Sequence, residues 1–137
     1  MENEIHVDFC IFNFTETIDE VTTIMGCSPS KAWLKGDNIN SKLPKYVTTH
    51  NRWVLSSRLE LNSCFEDHLE SLLTQLENQK DNVKRVLEIY DSGIYVAIYF
   101  HEINPGFKVS NELARRVSQL GLSIDFDLYC LGESDLN

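Results

Sequence analysis

The sequence predicts an α+β fold. The expected core is an antiparallel or mixed sheet with helices on one face, in the ferredoxin-like order β-α-β-β-α-β and preceded by an extra β-α unit. Three observations point there. Short segments that alternate apolar and polar residues, the mark of a half-buried strand, are interleaved with segments of helical periodicity. Serine or threonine stands in front of the helical segments, and two of them end at glycine. A tight Asp91-Ser92-Gly93 turn signal lies between two strand-like runs.

The first segment, EIHVDFCIFNF, sets Ile5, Val7, Phe9 and Ile11 against His6, Asp8 and Cys10, which reads as a strand. In TETIDEVTTIMG, Thr17 and Glu20 form a capping box. Ile18, Val21, Ile24 and Met25 make an apolar helical stripe, and Gly26 suits a left-handed C-terminal cap. Residues 27–51 hold two prolines and many polar residues and read as mostly irregular, with a short strand about Trp33, whose ring is expected to pin the loop to the core. RWVLSS returns to alternation, Trp53, Leu55 and Ser57 facing away from Arg52, Val54 and Ser56.

Ser63 and Glu66 suggest a second capping box, ahead of a helix over about 64–79 with Phe65, Leu69, Leu72, Leu73 and Leu76 on one side. His68 is expected on that helix's exposed side. VKRVLEIY and GIYVAIYF read as two strands of a hairpin, and Asn104-Pro105-Gly106 as a chain break. Ser110 is placed to cap a helix bearing Leu113, Ala114, Val117 and Leu120, ended by Gly121. SIDFDLYC is the last strand, with Phe126 on the buried side and Asp125, Asp127 and Tyr129 on the other.

A chain of 137 residues fits one domain, 1–137, with enough apolar residues for a core. The formal net charge of -9 argues against a nucleic-acid backbone as ligand and permits a basic protein partner. No apolar run is long enough for a membrane span, and the acidic start lacks a leader pattern, so a cytoplasmic location is expected. The cysteines Cys10, Cys27, Cys64 and Cys130 stand singly, which predicts no paired-ligand zinc site, and no cofactor motif occurs.

Several blocks resemble the bacterial family known as domain of unknown function 4279. They are IDEVTTIMGCSPSKAWLKGD, RWVLSS, the leucine-rich helix and the closing LARRVSQLGLSIDFDLY. The most specific parts are the Gly-x-x-Pro-Ser turn with Lys35-Gly36-Asp37, and the terminal Asp-Phe-Asp-x-Tyr. The resemblance implies a compact α+β bacterial protein and carries no activity or catalytic residue with it.

Candidate chemistry gathers on the sheet face opposite the helices. Asp125 and Asp127 belong there with Tyr129, joined by His6 and Asp8 if the first strand is adjacent, and by Tyr95 and Tyr99. An oxygen-rich set could take a hard divalent cation, but alternating charge is also what a wet sheet face looks like, and no metal is predicted. Tyrosines beside Arg52 and Arg58 suit a recognition surface instead. Ser56, Ser57, Cys10 and Cys27, with His6, His50, His68 and His101, provide nucleophiles and bases without any local catalytic signature. The expected function is a non-catalytic protein-binding module, in one form an immunity-type protein, using the open face or the 27–51 loop. The competing expectation is a small enzyme or ligand-binding domain with a polar site on that face.

Overall fold

Residues 3–38, 48–101 and 106–131 are described by a computed structural model of the chain. Glu4–Phe12 form β1, whose odd-numbered residues Val7, Phe9 and Ile11 are buried. Ile18–Met25 form α1. Thr17 accepts a hydrogen bond from the Glu20 amide, and Gly26 closes the helix at a left-handed φ of 74°. That conformation favours glycine, and any side chain would also displace two neighbours. A Cβ there would come within 2.6 Å of the Gln79 side chain and 2.7 Å of that of Asn82, whose Nδ2 caps the helix by donating to the Met25 carbonyl.

Lys31–Trp33 form β2 and Arg52–Ser56 form β3. Between them, Lys35-Gly36 make a turn held by Asp37 and Thr48. The Leu34 amide donates to the Asp37 carboxylate, and the Thr48 hydroxyl donates to the Leu34 carbonyl. Phe65–Glu77 form α2, with Leu69, Leu72, Leu73 and Leu76 fully buried. Its N-cap is Cys64, which makes no side-chain capping bond, so the Ser63–Glu66 capping box does not form.

The main departure from expectation follows α2. Lys80–Ile89 form a helix, α3, where a strand was expected, and β4 begins directly after it at Asp91 and runs to Phe100. Asp91-Ser92-Gly93 are thus the first residues of a strand rather than a hairpin turn. The cause is periodicity: Val83, Val86, Leu87 and Tyr90 recur at three- and four-residue spacing, and α3 packs them on the core, while the intervening Lys84, Arg85 and Glu88 face water. The last six elements therefore do not follow the ferredoxin-like order. Asn111–Gln119 form α4, capped by Ser110 and closed by Gly121, with the Leu122 amide donating back to Val117. Ile124–Cys130 form β5. The expected break at 104–105 lies outside the described residues.

Among the described residues the sheet has five strands in the order β2-β3-β1-β4-β5. It is mixed: β4 and β5 are parallel and the other neighbours antiparallel. The fold class is α+β, as expected. All four helices lay their apolar sides on one sheet face, packing with Phe9, Trp53, Leu55, Ile94, Val96 and Ile98. Arg116 of α4 ties that layer to α2 through two hydrogen bonds to Glu77, at 2.7 and 2.9 Å, and another to Glu70. Trp33 does not enter this core. Trp53 does, and its indole N–H donates to the Thr22 hydroxyl at 3.0 Å.

Candidate functional site

The register of the strands fixes the face opposite the helices. Because partners in a ladder share a face, β2 gives it Lys31 and Trp33, β3 gives Arg52, Val54 and Ser56, and β1 gives Glu4, His6, Asp8, Cys10 and Phe12. From β4 come Tyr95, Ala97 and Tyr99, and from β5 come Asp125, Asp127 and Tyr129. All seven residues expected at the site therefore lie on one face. Three rows cross it: Asp8–Tyr95–Asp125, His6–Ala97–Asp127 and Glu4–Tyr99–Tyr129.

These rows keep β1 and β5 two strand spacings apart, about 10 Å between backbones. Among the described residues no three His, Cys, Asp or Glu side chains are grouped as metal ligands. His6 lies 3.6 Å from Glu4 and edge-on to Tyr99, which stacks on Tyr129 with ring centres 4.7 Å apart. This aromatic row is half-exposed and runs to the outer strand.

The opposite end of the face is closed by its own side chains. The Arg52 guanidinium sits 5.3 Å from the ring centres of both Phe12 and Trp33, and Lys31 lies over Trp33. Phe12 also meets Tyr95 edge-on at 5.1 Å. Gly93 stands opposite Cys10 between the two rings. Under this lid Cys10 is fully buried, its Sγ accepting from Arg52 Nη2 at 3.4 Å, and burial pushes the thiol up to about 11. It is inert at neutral pH.

Asp8 departs from the expectation of a wet carboxylate. It is only 9% exposed, and burial raises its pKa against the partial relief given by Lys31, His6 and Arg52. Tyr95 is likewise raised, first by burial and then by the Asp91 and Asp125 charges. The face is divided electrically: Lys31 and Arg52 lie toward β2, and Asp125 and Asp127 stand exposed on β5. An open cavity of about 600 Å³ adjoins the basic end, lined by Lys31, Ala32, Trp33, Asp37 and Asn38. Arg58 lies beyond the end of β3 and donates to the Ser28 carbonyl rather than joining the face.

Of the nucleophiles and bases, Ser57 and His68 are brought together, Oγ and Nδ1 being 2.6 Å apart. His68 is 1% exposed, not on the outer side of α2, and burial lowers its pKa. Its Nε2 is buried without a hydrogen-bond partner among the described residues, and the Leu61 and Glu60 backbone only partly offsets the effect of burial. A nucleophile must meet a substrate, and this hydroxyl meets protein only. Ser71 donates to the Ser57 carbonyl at 2.7 Å, so the group pins the end of β3 to α2.

Arg52 joins the face as expected, and Phe12 and Trp33, the rings that flank it, are the site residues that pattern reading did not assign. Parity within each strand would have put them on the face, but only the register brings the arginine between the rings. One expected core residue is also absent from the core. Phe126 is 39% exposed and stacks on Phe107, itself 43% exposed, while Leu128 is 53% exposed. β5 lies at the sheet's edge, where the cover is partial: the Phe126 ring meets Phe65 of α2 at 5.8 Å and Phe107 at 5.7 Å but stays open on its outer side.

No curated protein and no solved structure shows significant similarity to the chain. The family model for the domain of unknown function DUF4279 matches residues 3–131. That span takes in every strand and helix described above, both aromatic clusters and the Lys35-Gly36-Asp37 turn, and the chain belongs to this family.

Proposed function

We propose that the protein is a non-catalytic binding module whose open sheet face holds a protein partner. The observation that carries this is the half-exposed row His6–Tyr99–Tyr129, set beside the exposed Asp125 and Asp127 on a rigid sheet. Stacked tyrosines offer large apolar area with polar tips at little entropic cost, which is what interface centres are made of. The aspartates and the net charge of -9 favour a basic partner and speed its approach. An immunity-type protein that neutralises a basic toxin is one form of this reading.

A second reading, a small-ligand site, draws on Asp8, whose raised pKa suits an acid near His6. The lid of Arg52, Phe12 and Tyr95 over that region weighs for the first. A photo-crosslinking residue placed at Tyr99 should trap a discrete protein adduct in cells, and one placed at Lys84 on the helix side should not. Equal adducts from both positions would defeat the proposal.

A further inference from the structure

We propose that the outer edge of β5 receives an extended, basic segment of the partner, which adds to the sheet as a further strand. The inference rests on the protein-binding reading above and gives the partner its chemistry.

The backbone comes first. In a parallel pair each residue directs its N–H and C=O to the same side. Ser123 accepts from the Ile94 amide, and the Leu131 amide donates to Phe100, so odd-numbered residues of this stretch serve β4. The amides and carbonyls of Ile124, Phe126, Leu128 and Cys130 are directed to the other side. Among the described residues no strand pairs with that side. A row of outward backbone groups on a long edge strand is a template for another strand.

The side chains then say what that strand is made of. On the helix side of β5, Phe126 and Leu128 are both exposed, Phe126 packing on Phe65 of α2 and on Phe107, itself exposed. The protein's own packing leaves 39% of Phe126 and 53% of Leu128 in water, and every second residue of an added strand would shield that remainder. On the other side Asp125, Asp127 and Tyr129 await the remaining side chains. Basic residues there would pair with the carboxylates across the ladder, and an arginine could lie on the Tyr129 ring.

Charge decides against a second copy as the occupant. Edge aspartates are a common guard against pairing of like chains, and two copies would each bring a charge of -9. An antiparallel two-fold pairing centred on Phe126 or on Asp127 sets aspartate against aspartate. The charges that repel a copy select a basic strand.

The test uses the full chain and the peptide acetyl-Arg-Val-Arg-Val-Arg-Val-amide, with hydrogen exchange read residue by residue by NMR. The peptide should slow exchange at the Phe126 and Leu128 amides by about tenfold or more, as new ladder bonds form. Of two counterparts, N-methylated on the valines or on the arginines, one should lose this effect. The Asp125→Lys, Asp127→Lys variant, checked to melt as the parent does, should bind about tenfold more weakly.

Binding without slowed exchange at those two amides overturns the proposal, as does no binding. Protection already present in the free protein, or a dimer in sedimentation, overturns it too by giving the edge to the chain itself. Shifts confined to His6, Tyr99 and Tyr129 would remove the edge and leave the open-face reading standing. That reading fails separately, on the crosslinking at Tyr99.

Discussion

β1 and β5 carry nearly the same pattern and meet opposite fates. Each alternates apolar with polar residues, one face holding Phe9 or Phe126 and the other Asp8 or Asp125. In β1 the apolar side is sealed by α2, and even Asp8 and Cys10 on the far side are buried. In β5 Ile124 is half-buried and every later residue is exposed, Phe126 by 39% and Leu128 by 53%. The difference is position. β1 is the third strand of the sheet, with neighbours whose side chains reach over it, and β5 is the last. Alternation tells which face a residue occupies; the neighbours tell whether that face is dry.

The largest contrast should appear in apolar truncations. Leu73→Ala, in the fully buried side of α2, is expected to cost about 2–5 kcal/mol in denaturant melts, because it leaves a cavity in a packed layer. Leu128→Ala removes the same atoms from an exposed edge and is expected to stay within about 0.5 kcal/mol. Similar losses for the two would mean that β5 is covered in the free protein.

Next comes His68. His68→Ala leaves the buried Ser57 hydroxyl without its partner, a cost of about 1–3 kcal/mol before any cavity is counted. Burial holds the folded-state pKa of His68 below its ordinary value of 6.5, so the unfolded chain takes the proton more readily. Stability from this site is complete above 6.5 and is lost as pH falls below it, toward the depressed folded value. In the variant that part of the acid profile should flatten, and urea midpoints measured from pH 7.5 downward would show it. An unchanged slope would mean that the imidazole is charged inside the fold.

The uneven legibility of the sequence has physical causes. Helix ends at Thr17, Gly26, Ser110 and Gly121 were readable because capping is a local matter of one hydrogen bond or one left-handed residue. The shared face of His6, Tyr95, Tyr99, Asp125, Asp127 and Tyr129 was readable because strand parity is local too. Residues 83–90 were not, since Val83, Val86, Leu87 and Tyr90 fit a helix while the flanking turn residues fit a hairpin, and tertiary contact decided. The Arg52 stack needed the pairing of β1, β2 and β3, which no single segment encodes. The burial of His68 and the exposure of Phe126 depend on where the helix layer ends, a property of the whole assembly.

Asp8 offers a smaller effect of opposite sign. Burial is the first cause of its raised pKa, so at neutral pH the folded protein holds a carboxylate that water would keep more cheaply. The folded state binds the proton more readily than the unfolded one, and stability should fall as pH rises from its ordinary 3.8 through the raised folded value. Asp8→Asn should remove that fall and be the more stable protein at pH 7. A less stable variant would show that attraction to Lys31, His6 and Arg52 outweighs desolvation.

The smallest effect belongs to the pair on β5. Asp125 and Asp127 are exposed, each beside a β4 residue, Tyr95 and Ala97, on a face that water reaches. Nothing in their surroundings is desolvated when they lose charge, so Asp125→Asn with Asp127→Asn should move stability by no more than about 0.5 kcal/mol. The sign should be favourable, since removing two negative charges from a chain of -9 relieves repulsion. A site for a hard cation would behave otherwise. Magnesium, manganese or calcium would raise the melting midpoint of the parent and not of the variant, because a ligand that binds only the folded state stabilises it by mass action. With Ala97 between Asp127 and His6 and Tyr95 between Asp125 and Asp8, the row spacing holds these groups too far apart to close on one ion. The expected result is superimposable melts for the parent with and without each ion, beside peptide binding that the substitutions weaken. Carboxylates that matter to a partner and not to the fold would leave that signature.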